Sequence, residues 1–180
     1  MGFDKTYEDT HQIRFERTIA FLKRTIPSGS RILDIGPPNP LSEMMSQNGY
    51  VVQSTSADVD LDFDYRDLKN NDYDVVTAFE ILEHLVNPFG LLREIQCDRL
   101  ITSVPLSLWF ARAYWNEEDP QDRHYHEFED RQFDMLLNKA GWEIDEREKW
   151  KGVTSKLGIR PWLRRKTPRH YIVSCHKVSG

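Results

Sequence analysis

The sequence predicts an α/β doubly wound fold, a mostly parallel seven-stranded sheet with helices on both faces. Three observations carry that expectation. Short apolar runs alternate with stretches of helical period from about residue 10 onward. The early runs, "RILDI", "DVVTAF" and "LITSVP", are near-continuously apolar, as strands covered on both faces are, rather than alternating. Finally, 180 residues suffice for one well-filled core and are short for two, so residues 1–180 read as a single domain.

Taken in order, Phe15, Ile19, Leu22 and Ile26 recur on one face of a helix from about Thr10 to Ile26, which makes residues 1–30 an N-terminal helical segment. Pro27-Ser-Gly-Ser ends it, and "RILDI" is a short buried strand. In "NPLSEMMSQNGY", Asn39 caps a helix and Pro40 takes its first position, where an N–H is not needed; Gly49 closes it. "YVVQSTS" is the next strand, then a short, weakly marked third strand, then "DYDVVTAF". Asn87 and Pro88 repeat the helix start in "NPFGLLREI", with Leu91, Leu92 and Ile95 inward, and "RLITSVP" is a strand. "EDRQFDMLLNKAGW" carries Phe133, Leu136, Leu137 and Ala140 on one helical face, and "WEIDE" and "HYIVSCHKV" complete the sheet. Residues 106–122, rich in Trp and Tyr, read as a lid over the carboxyl ends of the strands.

Composition excludes several classes. No apolar run approaches the roughly 20 residues that cross a bilayer, so neither a membrane span nor a membrane partner is expected. The first residues, "MGFDKTYEDTHQIRFER", lack a signal pattern, and cytoplasm is the expected compartment. Cys97 and Cys175, far apart, form neither a disulfide framework nor a metal site. The net charge of −5 hides a basic segment at 149–180, with nine Lys or Arg and no acid. It reads as a solvated surface balancing an acidic body, with an anion site as the sharper alternative. Without interleaved basic and aromatic residues, nucleic acid is not expected as a partner.

The segments "RILDIG", "DYDVVTAFEILEHLVNPFGLLREI", "ITSVP" and "HYHEFEDRQFDMLLNKAGWEI" together resemble class I S-adenosylmethionine-dependent methyltransferases over nearly the whole chain. The most specific part is Phe79-Glu80, then Leu82-Glu83-His84-Leu85, then Asn87-Pro88 and an amphipathic helix. The resemblance implies a Rossmann-like methyltransferase fold that binds S-adenosylmethionine across the carboxyl ends of the strands and methylates a small-molecule or sugar-like acceptor. It places Asp34 and Gly36, with Pro37 and Pro38 continuing the turn, beside the methionine part of the cofactor. Asp64 and Tyr65 correspond to the adenine position, and Phe79 and Glu80 to the strand end that flanks the cofactor.

The sequence also departs from that pattern. Pro38 and Pro40 stand where the family carries glycines, which removes N–H donors and fixes φ. Where an acid normally holds the ribose there is Thr55 or Ser56, with Asp58 the nearest carboxylate. A proline turn counts against NAD or ATP, whose phosphates need N–H groups, more than against a phosphate-free methyl donor. Two alternatives stay open: a degenerate, non-catalytic binding module, and another nucleotide-using α/β enzyme. His84, His124 and His126 are the candidate general bases, and the His124-x-His126 alternation is a weak metal or acceptor site. "DVDLDFD", Asp58 to Asp64, has Asp-x-Asp spacing but reads as a solvated acidic loop, so no metal ligand set is assigned.

Overall fold

The computed structural model describes residues 5–56, 58–69, 72–152 and 158–178. The chain runs α1 (Lys5–Thr25), β1 (Arg31–Asp34), α2 (Pro40–Gln47), β2 (Val51–Ser54), β3 (Val75–Phe79), α3 (Pro88–Glu94), β4 (Arg99–Pro105), α4 (Asp130–Lys139), β5 (Trp142–Lys151), α5 (Ile159–Lys166) and β6 (Pro168–Lys177). Both Asn-Pro helix starts hold. The Asn39 Oδ1 accepts from Leu41 N and Ser42 N, and the Ser42 hydroxyl accepts from Asn39 N. Asn87 Oδ1 accepts from Gly90 N. Such caps each contribute about 1 kcal/mol. Gly49, at φ +90°, closes α2 and turns the chain into β2.

The sheet order is β2-β1-β3-β4-β6-β5. The first four strands are parallel, β6 is antiparallel to β4, and β5 is antiparallel to β6. The apolar runs divide between two cores by simple alternation. Ile32, Val75, Ile101 and Ile172 pack with Ile19, Leu22 and Met45 from α1 and α2. Leu33, Val76, Leu100 and Val173 pack on the other face with Leu91, Phe133 and Leu137 from α3 and α4. Adjacent residues of one strand therefore serve opposite layers, which is why the runs show no polar interruption.

Two expectations need correction. The sheet has six strands among the described residues, not seven, because the weakly marked third strand does not form. Its region holds a 3₁₀ turn at Arg66–Lys69. The aspartates there bond backbone N–H groups and compete with a strand ladder: Asp60 accepts from Asp62 N, Asp64 from Arg66 N, and Asp62 from Val86 N and Asn87 N. The second correction lies near the C-terminus, where β5 runs ten residues and α5 follows before β6. β5 is the edge strand, and its charged residues pair with helices on both faces, Glu146 and Glu148 with Arg24 of α1 and Arg147 and Lys149 with Asp134 and Asp130 of α4. The charged alternation of "WEIDEREKWK" therefore continues the strand. α5 is only eight residues long and buries none of its side chains, although Ile159, Trp162 and Leu163 share one face.

Candidate active site

The chain leaves β1 toward β2 on one side and returns through β3 on the other, so the connections diverge above the carboxyl ends of β1 and β3. That is the switch point of an open α/β sheet, where a crevice forms. Here it is a cleft of about 350 Å³, within the range of small-molecule sites. Asp34, Gly36 and Pro37 line it from the end of β1, Phe79 and Glu80 from β3, and Ser103 from β4. Arg14, Phe15 and Thr18 of α1 form a further wall.

Two carboxylates and one guanidinium set its electrostatics. Asp34 is buried and accepts from the Thr77 hydroxyl at 2.6 Å. Burial pushes its carboxyl up to about 6 although the Thr77 hydroxyl and the Asn39 side chain pull it down. Glu80 sits at φ +55°, with its N–H donating to Ser103 O and its side chain accepting from the Ser103 hydroxyl at 2.9 Å. Arg14 Nη1 lies 3.0 Å from Glu80 Oε2. Burial drives the Glu80 carboxyl upward, but Arg14, His170 and Ser103 together outweigh it and hold the group below its usual range. His170 is itself lowered to about 4 by burial and is neutral near pH 7, so Arg14 is the main cation that keeps Glu80 ionised there, with Arg169 adding to it.

The turn between β1 and α2 offers little to an anion. Ile35 N donates to Thr77 O and Gly36 N to the Thr55 hydroxyl. Asn39 N, Leu41 N and Ser42 N are consumed by the reciprocal cap, and Pro37, Pro38 and Pro40 have no N–H. Every backbone donor from residue 35 to 42 is therefore absent or used inside the chain.

Of the residues expected at the cofactor, Asp34, Gly36, Pro37, Phe79 and Glu80 come together on the cleft. Pro38, Ser56, Asp58, Asp64 and Tyr65 are not among its lining residues. Ser56 bonds its hydroxyl to Asp58, Asp64 is paired with Arg66, and the Tyr65 hydroxyl donates to Asp62 O. Thr55, at the ribose-acid position, is buried with its hydroxyl on Gly36 N.

The three histidines separate. His84, on a 3₁₀ turn at Leu82–His84 just past β3, meets His124 edge to face at 4.8 Å between ring centres. His126 instead stacks on Phe128, 3.3 Å from Val86 O. Sequence reasoning missed Arg14 and Ser103, and also Glu83, a carboxylate 1% exposed that burial first and Glu80 second push well above its usual range. No spacing links Arg14 to Glu80. The signal available for Glu83 was only its place in "EILEH". The basic segment is partly used by the body, with Lys149 on Asp130 and Arg169 on Leu106 O, while Arg160 and Arg164 border a separate cleft with Trp109 and Arg112.

Residues 8–147 match the sequence profile of the family described as a methyltransferase domain. The chain belongs to this methyltransferase family. Its fold is shared with solved structures at low identity. An S-adenosylmethionine-dependent methyltransferase from Mesorhizobium loti aligns at TM-score 0.58 and 15% identity, over 88% of this chain and 96% of that one. The magnesium protoporphyrin IX methyltransferase of Synechocystis, solved with bound SAH, aligns at TM-score 0.63 and 15% identity, over 98% and 89%. A complex of the Haloferax volcanii Trm112 methyltransferase activator and a methyltransferase gives TM-score 0.60 and 12% identity, over 98% and 93%. No curated protein sequence matches the chain. Among the described residues no helix is long and apolar enough to cross a membrane.

Proposed function

We propose that residues 1–180 act as one domain that binds S-adenosylmethionine in the switch-point cleft and passes its methyl group to a small-molecule or sugar-like acceptor. The observation that carries this reading is a cleft with two carboxylates, one guanidinium and no spare backbone donor in its turn. A phosphate-bearing nucleotide needs those donors. S-adenosylmethionine carries an ammonium, a sulfonium and one carboxylate, a net charge of about +1 near neutral pH that suits a pair of carboxylates set against one arginine. The residues present fit its amino-acid end: Asp34 and Glu80 would hold the ammonium and Arg14 the carboxylate. For the nucleoside end we keep Ser56 and Asp58 as ribose contacts and Asp64 and Tyr65 as adenine contacts. Asp64 must then exchange its pairing with Arg66.

When bound, the donor supplies an electrophilic methyl group on a positive sulfur. The chain contributes alignment and a dry wall, from Phe15 of α1 and from Phe79 and Ile81 at the end of β3. Alignment of this kind supplies on the order of 7–11 kcal/mol of a bimolecular barrier. On the acceptor side, burial first and His124 second lower the His84 imidazole, so it is neutral near pH 7. Its ring nitrogen is then available to take a proton from an acceptor hydroxyl, with His124 beside it.

Calorimetric titration with S-adenosylmethionine, S-adenosylhomocysteine, NAD and ATP tests the reading. We expect heat with the first two alone. No binding of either at millimolar concentration would sink it. A second reading, a non-catalytic module, is favoured by Thr55, whose hydroxyl is committed to Gly36 where the family places a ribose-binding acid. Tight S-adenosylhomocysteine binding would remove the form of it in which the cleft has lost the cofactor.

A further inference from the structure

The segment that follows the lid meets the turn after β3 along a seam. Tyr125 N and His126 N both donate to Glu83 O, at 2.8 and 3.1 Å. Three side chains with metal-binding chemistry converge there, Glu83, His84 and His124, each offering one atom within 4.8 Å of the others.

Their surroundings prepare them for a cation. His84 Nδ1 lies 3.1 Å from Arg123 O, a carbonyl that can only accept, so this nitrogen carries the proton and Nε2 keeps its lone pair. His124 Nδ1 lies 3.0 Å from the Glu127 carboxylate, which fixes the same tautomer. A ring N–H held by a carbonyl or carboxylate while the other nitrogen stays free is the usual outer arrangement around a metal-bound histidine. Glu83 supplies an independent observation. It is 1% exposed, its Oε2 has no hydrogen-bond partner, and its Oε1 is 3.9 Å from His84 Nε2. Among the described residues only His84 comes within ion-pair distance of it, because Arg14 is engaged by Glu80. A buried carboxylate oxygen without a partner is costly, and a cation removes that cost.

We infer that Glu83, His84 and His124 bind one divalent transition-metal ion of the Zn²⁺ type. Two neutral imidazoles and one carboxylate suit Zn²⁺, Co²⁺, Ni²⁺ or Fe²⁺, whereas Mg²⁺ and Ca²⁺ take oxygen sets. Bonds of about 2.0–2.1 Å place tetrahedral ligands about 3.4 Å apart, so the side chains close by roughly 1 Å on binding. Three protein ligands leave a position for water or an acceptor oxygen. In the metal-free chain the His84 lone pair is free to take an acceptor's proton; with the ion loaded both imidazole lone pairs hold the ion, which clasps residues 123–127 to the end of β3. His126, stacked on Phe128, takes no part.

The experiment uses the untagged full chain, stripped with EDTA and titrated with Co²⁺ while its visible d–d absorption is followed, then displaced with Zn²⁺. We expect one ion per chain, with affinity at least tenfold weaker in His84→Ala and in His124→Ala. His126→Ala should leave it unchanged. Glu127→Gln, which keeps all three ligands, should weaken it more mildly by loosening the His124 ring. Circular dichroism of each variant separates loss of the site from loss of the fold. No d–d bands at millimolar Co²⁺ would overturn the inference, as would an unchanged Co²⁺ affinity in folded His124→Ala. So would bands lost in His176→Ala, which removes the exposed His176, Asp145 and Glu143 group. Titrating S-adenosylhomocysteine into the same sample reports on the donor cleft separately, so failure of either reading leaves the other testable.

Discussion

Arg14 of the first helix reaches Glu80 at the end of β3, 3.0 Å away across 66 positions of sequence, and so closes α1 over the cleft. The pair is shielded, with 20% and 15% of the two side chains exposed. Removing one partner leaves a largely buried charge.

Arg14→Met should therefore destabilise the protein by about 2–4 kcal/mol, below the upper end for fully buried pairs because both groups retain some solvent. Urea denaturation measures it. Adding Glu80→Gln to the variant should restore most of the loss. If the double variant is no more stable than Arg14→Met alone, the ion pair is not what holds α1 in place.

Asp34 carries a different signature. Its folded value, about 6, lies above the ordinary value of 3.8. Between those values the folded state holds a proton that the unfolded state has released, so the folded state is favoured in acid and loses stability as pH rises from about 4 to 6. The shift corresponds to about 3 kcal/mol at neutral pH. Asp34→Asn should stabilise the protein by up to that amount at pH 7 and by nothing near pH 4, while weakening S-adenosylmethionine. Thermal melts across pH and a ligand titration check both halves. A variant less stable than the wild type at pH 7 would contradict the assignment.

What the sequence revealed follows from what each signal depends on. The paired Asn-Pro caps and the runs in β1, β3 and β4 are local, and they appear where the residues alone place them. Thr55 and Asp64 were readable as positions but not as interactions. The Thr55 hydroxyl turns inward to Gly36, and Asp64 pairs two residues along with Arg66, choices made by loop geometry. Arg14 was invisible because a buried carboxylate demands a cation without saying where it comes from in the chain. The proline turn changed its meaning most. Pro38 is not among the lining residues, and the turn lacks donors as much through the Asn39 cap as through its prolines.

Gly36 has φ +118°, and a Cβ built there would stand 3.1 Å from Ile81 Cδ1. Gly36→Ala should cost about 1–3 kcal/mol in backbone strain and contact. Because Ile81 also lines the cleft, S-adenosylhomocysteine affinity should fall as well. Adding Ile81→Ala removes the contact but not the φ cost, so only part of the stability should return. Full recovery would mean that contact, not backbone conformation, requires glycine here.

His170 opposes Asp34 over the same range of pH. It lies stacked on Trp150 at 5.4 Å, with Glu80 at 3.9 Å and with Arg14, Arg169 and His11 near enough to repel its charged form. Burial is the main cause of its fall from 6.5 to about 4. In the unfolded chain it takes a proton below pH 6.5 that the folded chain refuses until about 4. The stability it contributes is whole above 6.5 and is lost as pH falls through that window, by about 3 kcal/mol. Glu83, pushed up by burial like Asp34, adds to the fall in stability toward neutral pH, so the His170 slope offsets only part of that fall between pH 4 and 6. His170→Phe, which keeps an aromatic ring against Trp150, should steepen the rise of stability toward acid. Asp34→Asn should make it shallower than in the wild type. Urea midpoints at pH 4, 5, 6 and 7 for the three proteins give the comparison, and parallel curves for all three would refute both assignments.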